Sequence, residues 1–271
     1  MRDITFGGRT LIMGVINMTP DSFYPGSRVW ETQDAVQQAL QFERSGADIV
    51  DIGGVSTRPG AGEIPVKEEM NRVLPVIEEI RKKSALLISV DTYRPQVAEE
   101  ALAKGAEIIN DISGLRYENG LELVVQMTGA YIILMHMRGK PAHMQDLAIY
   151  KNVVEEVSKE LDESIQRALN AGIEIKKIIL DPGIGFAKKA EHNLVLLKHL
   201  PRIRQKGFPV LVGLSRKSFL GAFTGLPVEE RLIPTVAANA ISIFQGADII
   251  RVHDVEEAKI TAQIADAIKN S

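Results

Sequence analysis

A four-fold internal repeat constrains the fold of this chain more than any other feature of its sequence. Each copy has Gly-Ala, a variable residue and then a run of mostly β-branched apolar residues. The copies are GADIVDIG from Gly46, GAEIINDI from Gly105, GAYIILMH from Gly129 and GADIIRVH from Gly246. Each glycine follows a helix-like stretch and suits a left-handed C-cap, whereas the apolar run is typical of a strand covered on both faces. Each copy is therefore predicted to join a helix to a buried strand.

Four further apolar runs predict four more strands. They are LIMGVIN (Leu11–Asn17), LLISVD (Leu86–Asp91), KIILD (Lys177–Asp181) and PVLVG (Pro209–Gly213). Helical periodicity lies between the strands, most clearly from Val66 to Ile77 and from Val153 to Leu169. Eight parallel strands alternating with eight helices over about 250 residues is the pattern of a (β/α)8 barrel. We therefore predict a single TIM-barrel domain over residues 1–271, with its active site at the C-terminal ends of the strands.

An open, doubly wound α/β sheet is the alternative fold, because it uses the same alternation of strand and helix. The glycine fingerprint GxGxxG that such sheets carry after their first strand is missing here. GADIIRVH would also be an edge strand in that fold, although its unbroken apolar run is typical of a strand covered on both faces.

Composition excludes several classes of function. The 271-residue chain has no cysteine, which rules out disulfides, thiolate metal ligands and a cysteine nucleophile, and fits a reducing compartment. We expect the cytoplasm. A net charge of −3 gives no global attraction to nucleic acid or to an anionic membrane, and the first apolar run is too short for a membrane span. Small molecules are the expected partners, with no nucleic acid and no membrane.

Nearly every predicted strand ends in polar residues. Taken singly, Asp51, Asp111 and His136 are expected to serve solubility or to cap the next helix. The complete set of strand-end residues is Asn17, Asp51, Asp91, Asn110, Asp111, His136, Asp181, Ser215, Arg216, Lys217, Arg251 and His253. Carboxylates and amides cluster on one arc and basic residues on another, which predicts one ligand with two chemically different ends.

The two arcs suit two kinds of ligand chemistry. Asp91, Asn110 and Asp181 suit a flat heterocycle with several N–H donors, because a fixed carboxylate can accept two parallel hydrogen bonds. Lys217, Arg251 and His253 suit phosphate. The glycine-rich loops NMTPDSF and GGVSTRPGAGE let backbone N–H groups approach an anion, although they can also be read as simple turns.

Eight ordered motifs carry a family resemblance over essentially the whole chain. They are MGVINMTPDSF, DIGGVSTRPGAGE, SVDTY, INDISG, LMHMRGKP, DPGIGFAK, VGLSRKSFLG and RVHDV. Together they resemble the dihydropteroate synthases of the folate pathway. The resemblance implies condensation of 6-hydroxymethyl-7,8-dihydropterin diphosphate with p-aminobenzoate, releasing pyrophosphate. It also implies assistance by Mg²⁺, a homodimer, and inhibition by sulfonamides, which mimic p-aminobenzoate.

The resemblance assigns a role to residues in each motif. The implied pterin-binding residues are Asp91, Asn110, Met135, Asp181, Phe186, Gly213 and Lys217. The implied p-aminobenzoate-binding residues are Phe23, Thr57, Arg58, Pro59, Phe186, Lys217 and Ser218. The implied diphosphate-binding residues are Asn17, Arg58, Arg251 and His253, with Asn17 also at the metal. The implied catalytic residues are Asp91, Lys217, Arg251, His253 and Arg58. After Asp181, the glycines of DPGIG would leave room for the substrates.

Two alternative functions remain at this point. A pterin-dependent methyltransferase domain would share the barrel and the pterin-reading residues, but would not need SRKSF and RVHDV against a diphosphate. A non-catalytic pterin-binding paralogue is the other. His143, His192 and His199 lack the close spacing of a zinc site and are predicted to be surface or helix residues.

The first loop departs from its family. Where most members have Ser-Asp-Gly-Gly after TPDSF, this chain has Tyr24, Pro25, Gly26 and Ser27. Asp21 could then pair with Arg58, or the loop could close without an ion pair. The remaining alternative is a loop that stays disordered until substrate arrives.

Overall fold

Strand and helix alternate along the described part of the chain. The computed structural model describes residues 2–18, 28–56 and 62–271. The strands are β1 (Leu11–Asn17), β2 (Ile49–Gly53), β3 (Leu87–Asp91), β4 (Ile108–Asp111), β5 (Tyr131–Met135), β6 (Ile178–Asp181), β7 (Leu211–Gly213) and β8 (Ile249–Val252). The α-helices are α1 (Arg28–Arg44), α2 (Val66–Lys83), α3 (Pro95–Ala103), α4 (Leu121–Thr128), α5 (Val153–Asn170), α6 (Ala190–Lys198), α7 (Leu200–Arg204), α8 (Ser218–Thr224), α9 (Leu232–Phe244) and α10 (Val255–Lys269).

The eight strands form one parallel sheet that closes on itself. Their order is β6-β5-β4-β3-β2-β1-β8-β7, and β6 and β7 meet through a parallel bridge between Leu180 and Val210. The backbone N–H of Leu180 donates to the carbonyl of Pro209 at 2.9 Å. This closed barrel confirms the predicted (β/α)8 architecture and rules out the open doubly wound sheet.

The four repeat glycines occupy the joints that the sequence predicts. Gly46, Gly105, Gly129 and Gly246 all have positive φ, at +90°, +106°, +67° and +106°. In the first, second and fourth copies the alanine after the glycine donates its N–H back to the carbonyl five residues earlier, at 2.9 to 3.0 Å. These are the bonds of the Schellman motif, which ends a helix and turns the chain into the next strand.

The side chains inside the barrel are apolar at the bottom and polar at the top. Alternate residues of a strand point to the same side, so each strand sends every second side chain inward. The lower interior is one apolar cluster made of Leu11, Met13, Ile49, Ile108, Tyr131, Ile133, Ile179, Leu211 and Ile249. Continuing upward by two residues at a time leads to the polar residues at the C-terminal ends of the strands. The candidate site therefore lies directly above a dry core.

The N-terminal segment covers the bottom of the barrel. Ile4 and Phe6 pack against the lower cluster, and the N–H of Ile4 donates to the hydroxyl of Tyr131 at 2.8 Å. The Nζ of Lys177 lies 4.0 Å from the centroid of the same ring. This segment closes the end of the barrel opposite to the candidate site.

The predicted elements differ from the structure in number and in some boundaries. The described residues contain ten α-helices rather than eight, because β6 and β7 are each followed by two. The predicted strands 86–91, 177–181 and 209–213 begin one or two residues later in the structure. Pro209 has no N–H to give to a ladder, which shortens β7 at its start. No helix among the described residues is long and apolar enough to cross a bilayer.

Candidate active site

The strand registers bring the predicted site residues into one ring at the top of the barrel. Asn17 is aligned with Gly53, Gly53 with Asp91, and Asp91 with Asn110. On the other side of the ring, Met135 is aligned with Asp181 and Gly213 with Arg251. Residues that lie far apart in the sequence therefore become neighbours around a common opening.

Arg251 and Asp51 form the centre of this ring. The Nε of Arg251 donates to Oδ2 of Asp51 at 2.7 Å, and its Nη2 donates to Asp91 at 3.2 Å. The amide nitrogen of Asn110 donates to the same Oδ2 of Asp51 at 3.0 Å. The two arcs predicted from the sequence thus meet at Arg251, and they are not separate in the free protein.

Asp51 is a site residue that the sequence reasoning assigned to solubility or capping, and that expectation is wrong. Its side chain is fully buried, and its Oδ1 has no hydrogen-bond partner among the described residues. The available signal was a carboxylate between two apolar residues of a strand covered on both faces, where only a buried cation or donor can compensate for its burial.

Asp91 is held in an environment that favours its neutral form. Burial raises the pKa of Asp91 to about 7, and the neighbouring carboxylate of Asp51 acts in the same direction. Arg251 opposes both effects. The Asp91 carboxyl can therefore gain or lose its proton near neutral pH, and its charge will respond to a ligand.

Lys217 brings a second perturbed group to the site. It lies at the start of α8, its Nζ donates to the carbonyl of Ile184, and its pKa is lowered to about 8 by burial. The same Nζ lies 4.8 Å from the ring centroid of Phe186. Burial also raises the pKa of Asp181, whose carboxylate accepts the N–H of Gly183 at 2.7 Å. An amine, a carboxyl and an aromatic ring therefore line one side of the opening.

The remaining predicted residues occupy the rim and wall of the opening. His253 is exposed, and its Nδ1 lies 3.0 Å from the hydroxyl of Ser215. Ser218 is exposed as the first residue of α8. Arg216 turns away from the opening, because its guanidinium pairs with Asp254 at 2.8 Å. The wall is an apolar cluster of Ile112, Met135, Met137, Met144 and Ala187, packed against Tyr93, Tyr117 and Phe186.

Asp111 and His136 are both fully buried, so the expected solubility role is wrong for them too. Asp111 orders the loop after β4, because it accepts the N–H groups of Ser113 at 2.8 Å and Leu115 at 2.6 Å. His136 lies beneath the loop after β6 and contacts Lys188, whose Nζ is 2.9 Å from Nδ1. Lys188 is a second residue that the sequence reasoning missed.

Several predicted residues lie outside the described ranges. They are Phe23, Thr57, Arg58 and Pro59, together with Asp21 and the altered first-loop residues. The other three histidines are described: His143 and His199 are exposed, and the partly buried His192 lies on α6. Their prediction as surface or helix residues is confirmed.

Comparison with known proteins identifies the class to which this fold and site belong. The family model described as "Pterin binding enzyme" matches residues 13–253. The chain therefore belongs to the pterin-binding enzymes.

The most similar relatives narrow this class to one activity. A dihydropteroate synthase of Synechocystis sp. is 45% identical over 264 residues, covering 97% of this chain and 91% of the relative. A solved dihydropteroate synthase of Xanthomonas albilineans, with 4-aminobenzoic acid, is 42% identical with a TM-score of 0.91, covering 97% of this chain and 94% of that one. Another structure from the same organism, in complex with 7,8-dihydropteroate, is 39% identical with a TM-score of 0.87, covering 97% and 95%. Within the pterin-binding enzymes, this chain is a dihydropteroate synthase, a transferase of folate synthesis.

Proposed function

We propose that this chain, as one domain over residues 1–271, condenses 6-hydroxymethyl-7,8-dihydropterin diphosphate with p-aminobenzoate to give 7,8-dihydropteroate and pyrophosphate. The observation that carries the proposal is the contact of Arg251 with Asp51 and Asp91, which puts a cation beside a carboxyl of raised pKa at one opening. This arrangement offers charge of both signs to a substrate that separates into a cation and an anion.

The pterin ring is recognised by side chains that accept and donate hydrogen bonds at fixed positions. Asp181 and Asn110 offer oxygens to ring N–H groups, and Lys217 offers its ammonium to the ring oxygen and N5. Met135 and Phe186 supply apolar surface to the ring. Asp51 holds Asn110 in place through the 3.0 Å hydrogen bond from its amide.

Charge separation determines the mechanism. The bond between the pterin methylene carbon and the diphosphate oxygen breaks, and its electron pair leaves with pyrophosphate. The cation left on the methylene is conjugated with the ring and is stabilised by the Asp91 carboxylate. The aryl amine of p-aminobenzoate then forms the new carbon–nitrogen bond, and its nitrogen releases one proton to solvent water. A neutral aryl amine needs no strong base, so no general base is assigned.

Arg251 is suited to the leaving group because one arm of its guanidinium is free. Its Nε and Nη2 are engaged by Asp51 and Asp91, while Nη1 has no hydrogen-bond partner within the described ranges. Burial acts to lower the pKa of Arg251, but the carboxylates of Asp51 and Asp91 outweigh it, so the pKa is raised and the guanidinium stays charged. We assign Nη1 and the exposed His253 ring to the diphosphate.

A Mg²⁺ ion fits this site only when the substrate brings most of its ligands. No cluster of three His, Asp or Glu side chains that could hold a metal occurs among the described residues. The amide oxygen of Asn17, at the end of β1, is the protein ligand that we assign. Mg²⁺ keeps several waters and binds substrate phosphates, so one amide is compatible with it. When bound, the ion would neutralise diphosphate charge.

We also propose a homodimer that forms through the exposed apolar groove between α9 and α10. The groove has a volume of about 640 Å³ and is lined by Val236, Ala240, Ile241, Phe244, Glu257, Ile260, Thr261, Ile264, Ala265 and Ile268. Phe244 is 58% exposed and Ile264 is 61% exposed, so the groove leaves a patch of apolar surface in contact with water. A second copy can bury the same face against itself about a two-fold axis. We place this dimer in the cytoplasm, in line with a chain that has no cysteine.

Measurement of pyrophosphate release tests the reaction. Purified protein is incubated with the dihydropterin diphosphate and Mg²⁺, with and without p-aminobenzoate. We expect stoichiometric pyrophosphate and dihydropteroate only when p-aminobenzoate is present. Binding of the pterin without any release would instead identify a non-catalytic pterin-binding protein. The relatives do not favour a methyltransferase domain, and it would release no pyrophosphate.

A further inference from the structure

The loop after β6 has an unusual backbone at the point where it leaves the site. Gly183 and Gly185 have φ of +67° and +87°, as glycine allows, but Ala187 also has a positive φ of +49°. A residue with a Cβ rarely adopts this conformation, and it persists only where the surroundings hold it. Ala187 is fully buried and immediately follows Phe186.

Two side chains hold the carbonyl groups on either side of this strained residue. The Nζ of Lys188 donates to the carbonyl of Phe186 at 2.9 Å. The hydroxyl of Tyr150 donates to the carbonyl of Ala187 at 3.0 Å. Both peptide groups that define the Ala187 conformation are therefore held by side chains, one from Tyr150 outside the loop and one from Lys188 within it.

Lys188 is itself fixed by a buried chain of polar contacts. Its Nζ lies 2.9 Å from Nδ1 of His136, and Nε2 of the same ring lies 3.0 Å from a carboxylate oxygen of Glu160. Since a carboxylate accepts, Nε2 carries the ring proton and Nδ1 accepts from Lys188. Glu160 belongs to α5 and is further bound by Arg138. This series of polar contacts connects helix α5 to the loop after β6.

We propose that Lys188, acting through His136 and Glu160, is a positioning residue that fixes the Phe186–Ala187 turn and thereby the wall of the p-aminobenzoate pocket. The inference rests on the proposed function and on the implied contact of Phe186 with p-aminobenzoate in addition to the pterin ring. Asp181 precedes the strained turn and has its own hydrogen bond from Gly183, so the polar contacts of the pterin do not depend on Lys188 and only its contact with Phe186 does.

Lys188→Met tests this role, because it keeps the length of the side chain and removes its donors. The Michaelis constant for p-aminobenzoate is expected to rise about tenfold or more, since small displacements of positioning groups have large effects. The dissociation constant of the dihydropterin diphosphate alone, measured by calorimetry, is expected to rise much less, by about threefold, because Asp181, Asn110 and Lys217 keep their polar contacts. Tyr150→Phe should show the same selectivity through Ala187, and it carries the test if Lys188→Met does not fold.

Ala187→Gly provides the rescue that separates positioning from general stability. Glycine adopts positive φ without strain, so Ala187→Gly removes the strain that Lys188 has to hold, and both constants of Ala187→Gly serve as the reference for the double variant. In the Lys188→Met background it should recover much of the loss in p-aminobenzoate binding. An equal loss for both substrates, no loss, or no rescue would overturn the inference. An inactive wild type would refute the proposed function itself, and the inference would fall with it.

Discussion

The Nη2 of Arg251 donates to the carboxyl group of Asp91 across 3.2 Å, so a cation from β8 and an acid of raised pKa from β3 are in contact before any substrate arrives. The two groups are assigned to opposite products of the same bond cleavage. In the proposed mechanism, each group meets a product of opposite charge when the bond between methylene and diphosphate breaks. The proposed mechanism would therefore use groups that the fold has already placed beside each other.

The pH dependence of kcat/KM should be bell-shaped, with limbs near pH 7 and pH 8. Asp91, with a pKa of about 7, must be ionised to stabilise the cation, so activity rises as pH increases through that value. Lys217, with a pKa of about 8, must keep its proton to donate, so activity falls above that value. Steady-state kinetics from pH 5.5 to about 10 provide the measurement. Lys217→Arg should remove the alkaline limb, because arginine stays protonated throughout. A flat profile would contradict both assignments.

Asp51→Asn should impair both stability and turnover although Asp51 has no role on the substrate itself. The substitution removes the buried charge that holds Arg251 and Asn110. Because Arg251 is only partly exposed, water cannot fully replace that partner, and the free energy of unfolding should fall by about 2 kcal/mol. Turnover should fall about 100-fold because the diphosphate and pterin groups lose their alignment. Denaturant titration and pyrophosphate release measure the two effects. Glu174→Gln breaks an exposed ion pair with Lys176 and should change neither. Wild-type turnover in Asp51→Asn would refute its holding role.

Gly183→Ala should prevent folding of the site. A Cβ built at Gly183 would lie 1.9 Å from the carbonyl oxygen of His136, with φ at +67°. The loop after β6 cannot keep its path against that backbone atom. Gly207→Ala is the matched control, because its φ of +88° is equally left-handed but nothing lies within 4 Å of the added atom. The control should lose about 1 kcal/mol and keep its activity. Similar thermal unfolding of the two variants would show that the close approach is unimportant.

Binding of p-aminobenzoate should depend on the other half of the site. If the p-aminobenzoate pocket forms only once Asn17 and Arg251 hold the diphosphate, calorimetry should detect binding only when pterin and pyrophosphate or Mg²⁺ are present. A sulfonamide should show the same dependence. Tight binding of either compound to the ligand-free protein would exclude this order.

Ile264→Glu should convert the dimer into a monomer. The substitution puts a charge into an apolar groove that the partner would cover, and burying an unpaired charge is prohibitive. Light scattering after size exclusion measures the mass directly. Met127→Glu changes a residue of α4 that is 82% exposed and lies outside the groove, so its mass should match wild type. A wild-type protein that is monomeric at micromolar concentration would refute the proposed interface.

Local sequence patterns predicted the fold well because the strongest constraints are local. The repeat glycines fix the helix-to-strand joints within a few residues, and the apolar runs fix the strands. The burial of Asp51 had a local signal, but its partner could not be predicted, because Arg251 is 200 positions away and only the closed barrel brings them together. Lys188 was missed for the same reason, since His136 contacts it only after the loop has folded back. Pro209 shortened β7 because it lacks an N–H group.

The seam between β6 and β7 gives the barrel an unequal rigidity. One bridge, Leu180 to Val210, joins these strands, whereas β3 and β4 share three register pairs and β1 and β2 share five. Separating β6 from β7 therefore breaks fewer hydrogen bonds than separating either of those two strand pairs. Asp181 ends one side of this seam, and Lys217 follows the other. A pterin held by both side chains would cross-link the seam, so that filling the site also tightens the barrel around it.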